Sequence, residues 1–319
     1  MKPIIIAECC QNHNGSKEIL KKQIHEAAAN GADFVKIQAI RSKELTHRSR
    51  FDEGVMDTEG NIKVIKRPFD AELARLAKLD LSLDDEAWFV EECWKAGVAP
   101  MTTAFSITGA REVKDMGYEA IKIASYDCAS YPLLREVKKY WKTIIVSTGA
   151  TYDHEIEKAA EILADVPNFH LLHCLTIYPT PMDVLNLKRI SFLRRFAANV
   201  GYSDHSRVET THLWASKIAL ALGAQSIERH FTVLEKDETK DGPVSINPQQ
   251  LNELNEFAKL SRFEMIEIIK KEYPEWEQTI GSSMRNLTQA ELLNRDYFRG
   301  RFASLVDGKH IFNWEEVNF

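Results

Sequence analysis

The sequence predicts an α/β protein, a (β/α)8 TIM barrel with a short C-terminal extension, and three observations carry that expectation. Eight short β-branched runs alternate with longer segments of helical periodicity, the pattern of βαβ units around a parallel sheet. The chain has 319 residues, an ordinary length for one such barrel. Hydrophobic residues make up 44% and charged residues 28%, enough apolar material for a large core.

The eight expected strands are residues 4–8, 33–38, 100–104, 120–125, 143–148, 170–174, 199–204 and 226–231. Between them, helices show readable ends. Ser82-Leu-Asp-Asp85 forms a capping box ahead of an apolar-periodic segment that stops at Gly97, and similar helices end near Gly31, Gly117 and Gly223. Residues 41–81, between the second strand and its helix, are too many for a simple connection. In a barrel that extra length falls on the active-site face, as a lid or as a surface insertion. A long helix is expected over 248–271. A weakly periodic tail follows, carrying Arg285, Arg295, Arg299 and Arg301 with Phe298, Phe302 and Trp314, and it should pack on the barrel or on a partner subunit. The domain reading is therefore a catalytic barrel over 1–280 with the 41–81 insertion, and an extension over 281–319 that is no separate domain.

A net charge of -6 excludes a general nucleic-acid-binding surface, which needs clustered cations. The five cysteines, Cys9, Cys10, Cys93, Cys128 and Cys174, show no CxxC spacing, so buried free thiols in a cytoplasmic protein are expected. The apolar run at Ile4-Ile5-Ile6 is too short for a signal peptide and no run is long enough to span a membrane, so an unprocessed soluble protein is expected.

In a barrel the strand C-termini converge on one mouth, so polar residues there are site candidates. This selects Glu8, Lys36, Gln38, Thr103, Lys122, Ser125, Asp127, Ser147, Thr148, Thr176, Tyr178, Ser203, His205 and His230. Two lysines with several hydroxyls and the Ser147-Thr148-Gly149 turn suit the oxygens of a phosphate or carboxylate, although each lysine could instead serve a structural ion pair. His205 and His230 end adjacent strands, and two neutral imidazoles can hold a divalent ion with positions left open for substrate; a histidine in such a place can also be merely structural. Glu8 and Asp241, the latter in the loop after the eighth strand, are candidates for proton transfer or substrate anchoring. His173, beside Cys174, is as compatible with structure as with function.

With these residues assembled, the chain resembles the sialic acid synthase family, phosphoenolpyruvate-dependent enzymes that make nonulosonic acids. The likeness runs from about residue 4 to 258 and rests on seven motifs in order. They are Ile6-Ala-Glu-Cys-Cys-Gln-Asn-His-Asn-Gly15, Val35-Lys-Ile-Gln38, Ile121-Lys-Ile-Ala-Ser125, Val146-Ser-Thr-Gly149, Leu172-His-Cys-Leu-Thr-Ile-Tyr-Pro-Thr-Pro181, Gly201-Tyr-Ser-Asp-His205 and Ile227-Glu-Arg-His-Phe-Thr232. The resemblance implies condensation of phosphoenolpyruvate with the aldehyde of an N-acylated amino sugar such as N-acetylmannosamine, with release of phosphate. It also implies a manganese or magnesium ion on His205 and His230, and a homodimer. Phosphoenolpyruvate contacts fall to Lys36, Thr103, Lys122, Ser125, Ser147 and Ser203; sugar contacts to Gln38, Asp127, Thr176, Tyr178 and Asp241; proton movement to Glu8, Lys122 and Asp241.

The sequence departs from the family at Tyr126-Asp127, at Thr176 and around Lys240-Asp-Gly-Pro243. Many relatives carry a C-terminal antifreeze-like module that brings an arginine to the partner's sugar site, and the residues after Gly281 are too few for it. The acceptor sugar therefore differs, or the insertion or the tail closes the mouth. Three alternatives remain open at this level: a related synthase on another sugar or sugar phosphate, a metal-dependent sugar isomerase or epimerase, and an idle barrel used for binding.

Overall fold

A computed structural model describes residues 2–319 and closes eight parallel strands into a barrel. In chain order these are β1 (Ile4–Cys10), β2 (Phe34–Ala39), β3 (Ala99–Ala104), β4 (Ala120–Ile123), β5 (Thr143–Ser147), β6 (Asn168–His173), β7 (Asn199–Asp204) and β8 (Ser226–His230). Every expected strand forms, with ends shifted by up to two residues. β4 stops early because residues Ser125–Asp127 turn into a single 3-10 turn.

Strand alternation splits the sequence into two faces. Ile5, Ala7, Val35, Ile37, Ile121, Ile144 and Val146 point outward into the main core beneath the helices. Ile6, Met101, Ala120, Ile145 and Leu172 fill the lower barrel interior, with Phe34 and Ile4 against them. Two residues further along, the inward positions turn polar on every strand but β6, where Cys174 follows Leu172. With the lower interior plugged by apolar side chains, the polar layer faces the C-terminal mouth.

Of the capping box expected at Ser82 the N-cap half forms: its Oγ accepts from the Asp85 amide at 3.1 Å, while Asp85 Oδ2 accepts from the Ser82 hydroxyl at 2.7 Å and not from the Ser82 amide. The expected single helix over 248–271 is instead two, Pro248–Ala258 and Arg262–Glu272. Ser261 and Glu264 form a full capping box there. The Ser261 hydroxyl accepts from the Glu264 amide, and the Glu264 carboxylate accepts from the Ser261 amide at 2.8 Å, which starts a new helix where periodicity alone suggested continuity.

The 41–81 segment holds a short hairpin, Val55–Met56 with Ile62–Val64, and the helix Phe69–Ala77. In the tail, the helix Gln289–Phe298 and the hairpin Ser304–Val306 with Lys309–Ile311 lie against this segment and the barrel. Leu45 pairs with Phe302 as an antiparallel bridge, and the Thr46 amide donates to the Arg301 carbonyl at 2.9 Å. Among the described residues, no helix is long and apolar enough to cross a membrane.

Candidate active site

The mouth is a cavity of about 470 Å³ whose base is a ring of strand-end side chains. At its centre lies an alternating set of charges. Lys122 Nζ donates to Glu228 Oε1 at 3.1 Å, and Ser203 Oγ donates to the same oxygen at 3.0 Å. Lys36 touches Glu8, donates to Thr103 Oγ1 at 3.1 Å and stands 3.9 Å from Glu228 Oε2. All four charged side chains are nearly inaccessible. Burial is the largest influence on Lys36; it pulls the ammonium down to about 7, with Lys122 acting in the same direction and Glu228 opposing. Burial alone would raise Glu228, but Lys122 and then Lys36 hold its carboxyl well below the usual range.

Both lysines are thus in the ion pairs that the sequence left as an alternative, and both also face the cavity. The two roles are compatible. An arriving anion meets two ammonium groups already fixed in place, and the two carboxylates balance their charge.

Glu228 was not among the sequence-selected residues, although a signal existed: it sits two positions before His230 and so shares its inward face. The residues between are equally informative. Asp204 and Arg229, one step outward on β7 and β8, are directly paired in the ladder and form a fully buried ion pair at 2.6 Å. Asp204 also accepts from Ser216 Oγ at 2.6 Å, and Arg229 donates to Ser206 Oγ at 3.1 Å. This outer clamp locks the two strands in register, and it places His205 and His230 side by side with ring centres 5.6 Å apart.

Both imidazoles are held neutral, His205 down to about 3 by burial first and then by His230, and His230 lowered by burial against the opposing pull of Asp241. His205 Nδ1 lies 2.9 Å from the Leu175 carbonyl. That contact requires the proton on Nδ1 and leaves Nε2 as a free donor atom, the usual arrangement of a metal-binding histidine. His230 Nδ1 is buried and, among the described residues, has no hydrogen-bond partner. The donor set therefore fits a divalent ion. Cys10 and Asp241 stand beside His230, and burial first and then the nearby Asp241 carboxylate push the Cys10 thiol well above its ordinary value.

Of the sequence-selected residues, Glu8, Lys36, Gln38, Thr103, Lys122, Ser125, Ser147, Tyr178, Ser203, His205, His230 and Asp241 line the mouth together. The Tyr178 ring covers His205 at 4.2 Å between centres. Asp127 and Thr176, expected against the sugar, are turned away from it. Asp127 accepts from Ser130 Oγ at 3.0 Å and Asn313 Nδ2 at 3.1 Å, because the 3-10 turn after β4 rotates it toward the tail. The Thr176 side chain is wholly buried, and its methyl occupies the space that a Cβ on Gly149 would need, at 2.7 Å. His173 is structural, its Nε2 bonded to the Leu185 carbonyl at 2.7 Å.

Burial raises the Asp127 carboxyl to about 6, with its hydrogen bonds to Asn313 and Ser130 only partly offsetting this. The folded protein therefore holds this proton to higher pH than the unfolded chain. The resulting penalty is absent below the unfolded value of 3.8 and grows as pH rises through about 6. Asp127→Asn is expected to match the parent at pH 4 and to be more stable at pH 7.5 by roughly 1–2 kcal/mol, after the new amide's own desolvation is counted. Urea unfolding at both pH values checks this; equal differences at the two would contradict it.

The rim of the mouth comes from outside the barrel. The tail contributes Asn294, Tyr297, Phe298 and Arg301, and the insertion contributes Arg67, Glu72 and Arg75. Phe298 stacks on Tyr126 with ring centres 4.6 Å apart, Asn294 donates to the Thr176 carbonyl at 2.8 Å, and Arg301 pairs with Glu72. None of these residues ends a barrel strand, so a filter for strand ends passes over them.

Fold and site together define a (β/α)8-barrel enzyme with a preorganised ion-paired mouth and a metal-competent edge. The NeuB family model matches residues 23–267, and the chain belongs to that family. It is similar to the N,N'-diacetyllegionaminic acid synthase of Campylobacter jejuni, with 35% identity over 259 residues, 79% of this chain and 74% of that one. It is also similar to a pseudaminic acid synthase of Campylobacter jejuni, with 30% identity over 320 residues, 99% of this chain and 86% of that one. Among solved structures, the N-acetylneuraminic acid (sialic acid) synthetase from Leptospira borgpetersenii aligns with a TM-score of 0.69 and 26% identity, covering 93% of this chain and 91% of that one. The protein is thus an enzyme of the nonulosonic acid synthases.

Proposed function

We propose that this enzyme condenses phosphoenolpyruvate with the aldehyde of an open-chain N-acylated amino sugar, giving a nonulosonic acid and inorganic phosphate. The observation that carries this reading is the pair of lysines fixed at the base of the mouth within a ring of hydroxyls, beside two neutral histidines. In the reaction the methylene carbon of phosphoenolpyruvate bonds to the aldehyde carbon, whose oxygen takes a proton. Water adds to the adjacent carbon, the one that carries the phosphate ester, and as the adduct gives up its protons and becomes the keto group, phosphate leaves from that carbon with its bridging oxygen.

Lys36 and Lys122, with Thr103, Ser125, Ser147 and Ser203, hold the phosphate and carboxylate of phosphoenolpyruvate through charge-assisted hydrogen bonds. Lys36 and Glu8, in contact and with the lysine drawn to about 7, form a unit able to give or take a proton near neutral pH. Glu228 holds Lys122 toward the cavity centre. Gln38 and Tyr178 face the sugar's side of the mouth. A divalent ion held by the histidines, when bound, orients and polarises the aldehyde oxygen. Phe298 and Tyr126 form an apolar wall that excludes water from the acceptor.

The test is phosphate release from phosphoenolpyruvate in the presence of manganese and a panel of 2-acetamido and 2,4-diacetamido hexoses. Phosphorylated forms belong in the panel because Arg67, Arg75, Lys240 and Arg301 crowd the rim around Glu72. Release that depends on one of these sugars is expected. Absence of release with every N-acylated sugar would overturn the reading, and chelator-sensitive turnover of a sugar without phosphoenolpyruvate would replace it with isomerisation.

A further inference from the structure

β1 ends irregularly. Its register against β2 slips between Glu8 and Cys10, and Cys10 adopts φ 46°, a left-handed conformation that costs a non-glycine residue about 1–2 kcal/mol. The Cys10 amide donates to Glu8 Oε1 at 2.6 Å, and the thiol side of the residue lines the mouth.

The loop after β8 is tied down opposite it. The Asn12 amide donates to the Phe231 carbonyl at 2.9 Å and to Ser245 Oγ at 3.0 Å, while its carbonyl accepts from Thr239 Oγ1 at 2.5 Å. Ser245 Oγ in turn donates to the Asp241 carbonyl at 2.7 Å. At Gly242 a Cβ would lie 1.9 Å from the Lys236 carbonyl oxygen, so the loop closes this tightly only with glycine. These contacts, none of which involves a ligand, set the Asp241 carboxylate over the end of β1.

As a result the Cys10 sulfur, an imidazole nitrogen of His230 and a carboxylate oxygen of Asp241 lie within 4.8 Å of one another. The second observation is independent. His230 is 8% exposed, and its buried Nδ1, unpartnered among the described residues, is 3.8 Å from Asp241 Oδ2. A buried nitrogen left without a hydrogen bond costs roughly 1–3 kcal/mol. Among the described residues nothing offsets that cost, whereas a cation at the centre of the three atoms would.

We propose that Cys10 and Asp241 are metal ligands alongside His230, with His205 as the neighbouring fourth donor, so that the centre carries a thiolate instead of resting on two histidines. This builds on the reading of a metal at the mouth. It takes Asp241 from the sugar to the ion. A coordinated thiol gives up its proton, so thiolate and carboxylate together balance a divalent charge. Tetrahedral ligation at typical bond lengths brings ligand atoms to roughly 3.5 Å from one another, a contraction that side-chain rotation can supply. A sulfur donor favours iron, cobalt or zinc over magnesium, which selects oxygen.

Cobalt(II) is the probe, added to the full-length protein and followed by absorption and by calorimetry. The parent is expected to bind one equivalent with a near-ultraviolet thiolate-to-cobalt charge-transfer band. Cys10→Ser should lose the band and bind at least tenfold more weakly. Cys10→Gly, which suits the left-handed backbone and keeps the fold, should behave alike. Asp241→Asn should keep the band with at least tenfold weaker binding. Cobalt binding without the band, or a band that survives in both Cys10 variants, overturns this ligand set and leaves the two-histidine reading standing. Absence of cobalt binding by calorimetry overturns both.

Discussion

Lys122→Met is expected to lower kcat/KM for phosphoenolpyruvate by roughly a thousandfold or more, because one charge-assisted contact to a developing anion in a dry site contributes about 3–4 kcal/mol. The variant also strands Glu228, whose neighbours would then be Lys36 at 3.9 Å and Ser203 at 3.0 Å. Breaking a buried pair by removing one partner costs about 3–5 kcal/mol of stability, so the single variant confounds two effects. The double variant Lys122→Met/Glu228→Gln separates them. It removes the stranded charge and is expected to recover most of the stability seen in urea unfolding while activity stays low. Recovery of kcat/KM together with stability would mean that Lys122 serves the ion pair alone.

The second large effect concerns the histidines. His230→Ala is expected to abolish metal-dependent turnover, with kcat/KM down by roughly a thousandfold, since a Lewis acid at a reacting carbonyl contributes several kcal/mol. His205→Ala should follow in direction with a smaller loss, because its Nε2 lies outside the close group formed by Cys10, His230 and Asp241. Both are read by steady-state kinetics across a manganese titration, with circular dichroism as a check on folding. Unchanged metal-dependent turnover in either variant would remove that histidine from the centre.

The architecture and the base of the mouth were legible from sequence for a specific reason. Strand periodicity and glycine stops are local signals, and in a barrel the C-terminal end of each strand has only one place to go. Glu8, Lys36, Lys122, Ser203, His205 and His230 could therefore be placed before any coordinates were known, and they do converge. The misplacements at Asp127 and Thr176 come just past strand ends, where a single 3-10 turn or one close-packed glycine decides which way a side chain points. The break at Ser261 is a local signal too, a Ser-x-x-Glu box, but it was masked by apolar residues continuing at helical spacing on both sides.

By itself, then, the sequence determined the barrel, its mouth, the two lysines and the two histidines, since each depends on periods of a few residues. Only the tertiary structure decided what surrounds them. Glu228 between the lysines, Cys10 beside His230, and the tail's Phe298 and Arg301 at the rim involve partners more than 100 positions away, such as Lys122 with Glu228, Arg301 with Glu72 and Asn12 with Ser245. Such pairings follow from barrel closure, strand stagger and the path of the tail across the mouth, and no short-range pattern encodes them.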